Sequence, residues 1–198
     1  MRTVMKTPLI VLMASLPLAG CISFGAKPPP SLLTLQAQSA PTVGQTQDSA
    51  RAKSITIQVP TTPQELATAR VPVQEDATSI AYVKDAQWAE PPARLFARLM
   101  ADTLTARVNR VVLSARDSVS DPGDRLSGEL RQFGMDATRR DAVVMFDAAL
   151  QRDGQTGVEK RRFEARVPVG KIDAASVGPA LNQAANQVAQ QVSDWVGR

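Results

Sequence analysis

The stretch IAYVKDAQWAEPPARLFARLMADTL, residues 80–104, decides the fold, because its periodicity changes within a few residues. Ile80 to Val83 is a short apolar run with the β-branched and aromatic character of a strand. Pro91 and Pro92 follow, and a helix accepts proline in its first turn because those N–H groups have no intrahelical acceptor to lose. Leu95, Phe96, Leu99, Thr103 and Leu104 then fall near one face, while Arg94, Arg98, Asp102 and Arg107 lie mostly elsewhere. This spacing predicts an amphipathic helix of about four turns lying on a sheet. Trp88 stands between strand and helix, where an indole packs as a staple over the first turns.

Working outward, the same alternation recurs on both sides. Upstream, Leu32 to Gln36 reads as a first strand, and Gln38 to Ala52 as a loop without periodicity. SITIQVP alternates Ile55, Ile57 and Val59 on one side and is stopped by Pro60, which predicts a half-buried strand. Thr61 to Ala77 reads as loop, with Leu66, Val71 and Val73 pinning it to the core. Downstream, VVLSA is a short strand, and Leu126–Met135, Ala142–Gln151 and Arg162–Val167 read as an antiparallel meander, with Asp153-Gly154 and Gly157 in its second turn. Asp173 is a good N-cap for a last helix whose apolar face is Val177, Leu181, Ala184, Val188, Val192 and Trp195. The expected fold is therefore α/β with α+β character: one domain, a mixed and mostly antiparallel sheet packed by two main amphipathic helices.

The N-terminus has a different grammar. Arg2 and Lys6 precede an apolar run from Leu9 to Leu18, and Ala19 and Gly20 are small, which together read as a secretory signal over residues 1–20. The run is too short for a transmembrane helix, which needs ~20 apolar residues. Leu18-Ala19-Gly20-Cys21 resembles a bacterial lipobox, and Cys21 is the chain's one cysteine. That resemblance implies that Cys21 carries an N-acyl diglyceride, palmitate among its acyl chains, and becomes the first mature residue. Each buried methylene contributes about 0.8 kcal/mol, so several acyl chains anchor stably where one would be marginal. Residues 21–31, with Pro28-Pro29-Pro30, form a stiff lipidated tether to a body at 32–198. Ile22 is not the aspartate that marks inner-membrane retention in enteric bacteria, so the resemblance favours the periplasmic face of the outer membrane.

Charge and residue inventory narrow the function. The 23 basic residues fall to 21 once Arg2 and Lys6 are removed, against 19 acidic ones, and a net charge of about +2 gives little support to nucleic-acid binding. Arg139-Arg140 and Lys160-Arg161-Arg162 lie at opposite ends of the predicted meander and form no single stripe. They read as solvated strand ends, with anionic headgroups as the other contact open to them. There is no histidine, which removes the usual general base and the commonest metal ligand. An acylated Cys21 leaves no thiolate for catalysis or metal binding. No nucleophile elbow, phosphate loop or dinucleotide fingerprint occurs, and the acidic Glu75-Asp76 and Glu90 sit in or beside loops. These features predict a protein that is not an enzyme and holds no metal or cofactor.

Residues 80–104, preceded by SLLTL and SITIQVP behind a lipobox and closed by VSDWVGR, resemble the ABC-type transport auxiliary lipoproteins, the PqiC-like family. Trp88-Ala89-Glu90-Pro91 after the short strand is the most specific part. Leu32-Leu33-Thr34-Leu35 departs from the aromatic that many members carry in the first strand. The resemblance implies an α/β domain with a non-catalytic role beside an ABC permease, its ATPase and a substrate-binding protein of the MCE (mammalian cell entry) type. Such a system moves phospholipid or another lipid between inner and outer membranes. Trp88, Glu90 and Pro91 are then candidates for a docking contact, and homo-oligomerisation stays open. A lipoprotein carrier with its own lipid pocket and a structural envelope-assembly lipoprotein are the alternatives.

Overall fold

In the computed structural model, which describes residues 31–108, 110–113, 117–119 and 123–198, the elements run β1 (Lys53–Ile57), β2 (Arg70–Gln74), β3 (Ile80–Gln87), α1 (Pro92–Arg107), β4 (Arg110–Leu113), β5 (Asp124–Asp136), β6 (Asp141–Gln151), β7 (Val158–Pro168) and α2 (Ala174–Val196). The seven strands form one mixed sheet organised about β5. β6 pairs antiparallel along β5, and β7 along β6. The opposite edge of β5 is shared: β1 runs parallel to its start, with Ile55 opposite Asp124, and β2 parallel to its end, with Val73 opposite Met135. Thr61 fills the interval, its N–H donating to the Gly128 carbonyl at 3.0 Å and its carbonyl accepting from the Leu130 N–H at 2.9 Å. β4 adds parallel outside β1, and β3 antiparallel outside β2. This is the mixed α/β single domain expected from the strand and helix pattern.

Alternation makes the sheet two-faced. Leu130 and Phe133 of β5, Val144, Phe146 and Leu150 of β6 and Phe163 of β7 are buried beneath the helices. α2 crosses β6 and β7 and packs on α1, with Val177, Leu181, Ala184, Val188 and Val192 fully buried. Its first turn is closed by a capping box: Asp173 Oδ1 accepts from the Ser176 N–H at 3.0 Å, and Ser176 Oγ accepts from the Asp173 N–H at 3.2 Å. Trp195 sits against Phe163, with ring centres 5.5 Å apart.

Four details differ from the sequence reading. Leu32–Gln36 is no ladder strand, since only Leu33 makes a β-bridge, with Trp88. A strand, β2, lies inside the region read as loop. Pro72 masks it from pattern reading, yet Val71, Pro72 and Val73 are all buried between β3 and β5. The strand beginning at Ile80 continues to Gln87 through an irregularity at Asp85, whose φ of +57° is a left-handed conformation that aspartate tolerates. Val59, expected beside Ile55 and Ile57, lies beyond the end of β1 and is exposed.

Beneath the open end of the sheet, Arg110 at the start of β4 and Asp124 at the start of β5 form a buried ion pair across β1. Arg110 Nη2 also donates to the Val196 carbonyl at 3.2 Å, at the α2 C-terminus, where a cation is favourable. The second Asp124 oxygen accepts from the Asp153 N–H at 2.9 Å. One pair therefore ties two parallel strands, the β6–β7 turn and the end of α2. Replacing Asp124 by Ala strands a buried guanidinium and is expected to cost about 3–5 kcal/mol, while Arg110→Met with Asp124→Leu should cost much less. Urea-unfolding midpoints of the two variants check this.

Candidate functional site

Trp88 is the corner at which three chain segments meet. Its N–H donates to the Ala69 carbonyl at 2.7 Å, before β2. Leu33 donates to the Gln87 carbonyl at 2.7 Å, and Ala89 donates back to the Leu33 carbonyl at 2.9 Å. The indole is 1% exposed and meets Phe133 edge-on at 5.4 Å; Phe133, Phe96 and Phe146 continue the edge-to-face series beneath α1. The Trp88 Nε1 has no hydrogen-bond partner. As placed, the ring is part of the core and offers no surface to a partner. Glu90 and Pro91 are half-buried, and Glu90 takes a hydrogen bond from Arg98 Nη2 at 2.5 Å. That bond holds the Glu90 carboxyl below its usual range.

From this corner the chain from Ser31 to Gln38 runs along α2 as an extended strap. Its fastening was not read from sequence. Gln36 N–H donates to Asn182 Oδ1 at 2.8 Å, and Gln38 N–H to Asn186 Oδ1 at 2.7 Å. Asn186 Nδ2 donates to the Gln36 carbonyl at 2.9 Å and, within its own helix, to the Asn182 carbonyl at 2.8 Å. Gln190 reaches the Gln38 side chain at 3.2 Å. Asn186, 1% exposed, thus serves the strap as a peptide group of a neighbouring strand would, accepting from one residue and donating to another. Gly178 completes the track: a Cβ there would lie 2.8 Å from Leu33 Cδ2, so the leucine tip would have to shift for any larger residue. Gly178, Asn182, Asn186 and Gln190 recur every four residues, a small and polar stripe beside an apolar face. That period was the available signal.

The face of the sheet away from the helices carries charge along much of β5, β6 and β7, with Val143 buried beside Leu66 and Pro72 toward the β2 side. Arg162 grips Asp147 with two bonds of 2.5 and 2.6 Å, Arg131 lies 3.3 Å from Glu129, and Arg166 reaches Glu164, Asp136 and Asp141 at 2.5, 3.1 and 3.3 Å. Arg162, one of the basic-cluster residues, is spent in this lattice. The Arg162 hydrogen bond holds Asp147 below the ordinary carboxylate value. Burial pushes Asp136 up, but the Arg139 N–H and the Arg166 guanidinium outweigh it, so Asp136 also lies low.

Among the described residues no group of histidine, cysteine or carboxylate side chains is placed to hold a metal. A pocket beside Leu66, Pro72, Ile80 and Phe133 offers about 60 Å³, room for about two waters but not for an acyl chain. A larger, open groove of about 560 Å³ runs past Ile57, Val59, Ala97, Ala101 and Val112. No helix among the described residues is long and apolar enough to cross a membrane. Leu18, Ala19, Gly20 and Cys21 lie outside the described residues, as do the signal at 1–20 and all but Ser31 of the tether.

A helix-packed mixed sheet whose N-terminal lead is strapped onto its last helix defines a class of single α/β domain. The chain belongs to the family of ABC-type transport auxiliary lipoprotein components, whose model matches residues 33–193, from the strap to the last turns of α2. Membership makes it an auxiliary component of ABC-type transport, associated with the cell envelope. A crystal structure of a Xanthomonas campestris protein of the DUF330 family is similar in fold, with a TM-score of 0.69 at 19% identity over 84% of this chain and 95% of that one. A crystal structure of an uncharacterised protein is also similar, with a TM-score of 0.64 at 17% identity over 82% of this chain and 99% of that one. Among curated proteins, none matches the sequence.

Two outcomes follow from this geometry. Trp88→Ala empties the corner and is expected to destabilise by about 3–5 kcal/mol, whereas Trp88→Phe keeps a ring, removes the unpartnered N–H and should cost under about 1.5 kcal/mol; chemical denaturation separates them. For pH, carboxylates held low when folded stabilise fully above their unfolded value of ~3.9 and lose that contribution as pH falls through the folded one. Asp136 and Asp147 therefore predict a melting temperature that is flat above about pH 5 and falls below about pH 4. Calorimetry across that range tests it.

Proposed function

We propose that the protein is a lipid-anchored periplasmic subunit that docks an MCE-type substrate-binding protein of an ABC transporter and holds the outlet of a lipid path near the outer membrane. The single observation that carries this reading is the family match from Leu33 to Ser193, beginning twelve residues after the lipobox cysteine. Cys21 is the acylated residue, Leu18, Ala19 and Gly20 its recognition sequence, and residues 21–31 the tether. Energy comes from the permease-coupled ATPase, so this chain needs no catalytic group of its own. The carboxylates and guanidinium groups on the open sheet face support that division of labour, because they neutralise one another in ion pairs. Glu90 and Pro91, at the start of α1, are the part of the Trp88 motif that a partner can reach. The ring behind them fixes their position.

Cys21→Ser should accumulate as unprocessed or mislocalised protein, since acylation precedes cleavage of a lipoprotein signal; normal maturation and membrane fractionation would refute the anchor. Crosslinking and affinity capture of the full-length lipoprotein from membranes should recover an MCE protein with permease and ATPase subunits. Deletion should weaken detergent resistance and outer-membrane lipid balance while ATP hydrolysis by the isolated transporter persists. Recovery of envelope-assembly factors alone would move the protein to a structural role.

A further inference from the structure

We propose that the strap is a latch giving the anchor two lengths: a short tether when Ser31–Gln38 is seated on α2, and a long one when it lifts away. The proposal rests on the reading of Cys21 as the anchor.

Three observations make the strap separable from the core. Its backbone is held by one isolated bridge at Leu33 and, beyond it, by the side-chain amides of Asn182 and Asn186, so no sheet ladder breaks when it leaves. Its own apolar residues, Leu33, Leu35 and Ala37, are only partly buried, and Leu32 is 53% exposed. The track it uncovers on α2 is polar or small, Gly178, Asn182, Asn186 and Gln190, which water can solvate, while Leu33, Leu35 and Ala37 give up only partial packing against the core. The apolar face of α2 stays against the sheet and α1. A segment with few buried apolar contacts and replaceable hydrogen bonds opens below the global unfolding free energy.

Beyond the latch lies stored length. Residues 39–52 are almost wholly exposed and form no helix or strand before β1 begins at Lys53. With the latch closed, ten residues join Cys21 to Ser31, which at full extension span about 35 Å. With it open, thirty-two residues join Cys21 to Lys53 and span up to about 110 Å. The same folded body can therefore sit close to its membrane or reach a partner well away from it, without unfolding any strand of the sheet. Asn186 is the principal fastening, because one side chain serves two strap residues, Gln36 and Gln38.

The test is hydrogen exchange by mass spectrometry on the mature lipoprotein reconstituted in phosphatidylethanolamine/phosphatidylglycerol vesicles, with intact mass reporting acylation of Cys21 separately. Peptides covering residues 31–38 should exchange at least ~10-fold faster than those of β5 and β6. Asn186→Ala should accelerate them about another 10-fold while leaving β5 and β6 unchanged. Leu33→Ala, altered on the strap alone, should do likewise and serves if Asn186→Ala folds poorly. Neutron reflectometry on supported bilayers should show the body of the Leu33→Ala lipoprotein farther from the membrane than the wild type. Strap amides that exchange only together with the core, or a body height unchanged by an opened strap, would overturn the latch. An unacylated Cys21 beside fast strap exchange would instead remove the anchor and leave the opening intact.

Discussion

The hydrogen-bonding requirement of β5 governs this fold. Buried backbone groups have to be paired, and a strand from Asp124 to Asp136 exposes two long edges of donors and acceptors. β6 covers one edge from Arg125 to Asp136, with one irregularity between Leu130 and Gln132, by returning through a tight turn. No single strand satisfies the other. β1 covers its start, Thr61 its middle and β2 its end, so the chain between Lys53 and Gln74 is laid along β5 in sequence order. Parallel pairing then follows from geometry, because β1 and β2 both run the same way as the strand they share. β3 and β4 are outriggers on these two, and α1 must cross from the outer side of one to the outer side of the other.

That crossing explains the composition of residues 80–104. The chain leaves β3, turns inward at Trp88, and enters α1 through Pro91-Pro92 with its apolar stripe already facing the sheet. Trp88 fills the space where the strand ends and the helix has not yet begun, and Leu33 closes it from outside. The indole is thus a joint between three segments. A motif that appears in the sequence as a local strand-to-helix transition is bridged on its backbone to Leu33, fifty-five positions earlier, while its indole packs on Phe133 of β5.

What could be read in advance follows from which partner each segment uses. The helices and the meander bury one face against a broad apolar surface, so a period of 3.6 or 2 survives in their sequences, and both helices lie where Leu95–Leu104 and Val177–Trp195 place them. β2 bonds on both edges and is buried on both faces, which erases alternation, and Pro72 then suggests a loop. The strap misled in the opposite sense. Leu32-Leu33-Thr34-Leu35 has the residues of a strand, but it makes one isolated bridge, at Leu33, and the chain beyond it, at Gln36 and Gln38, is held by side-chain amides on a helix, which single-strand periodicity does not report. Glu90 and Pro91 could be named from their motif, yet only the structure separates them from Trp88, which the core encloses. The lipobox reading rests on a linear string, Leu18-Ala19-Gly20-Cys21, which lies outside the described residues.

The distribution of charge bears on how such a body can work in transport. The inner face of the sheet is closed by two helices packed to near-zero exposure, and the outer face is held by guanidinium–carboxylate pairs spanning β5, β6 and β7. Exposed pairs of this kind contribute little stability individually. Their geometric effect is larger, since Arg162 and Arg166 link neighbouring strands and oppose shear between them. The helices pack one face of the sheet and ion pairs bridge strands on the other, and the pocket beside Phe133, about 60 Å³, is too small for lipid. Adjustable length is therefore concentrated ahead of β1, in the strap and the loop that follows it. Under the proposed latch, length held in residues 31–52 ahead of a rigid body would let a partner meet a fixed surface while the distance to the anchor varies.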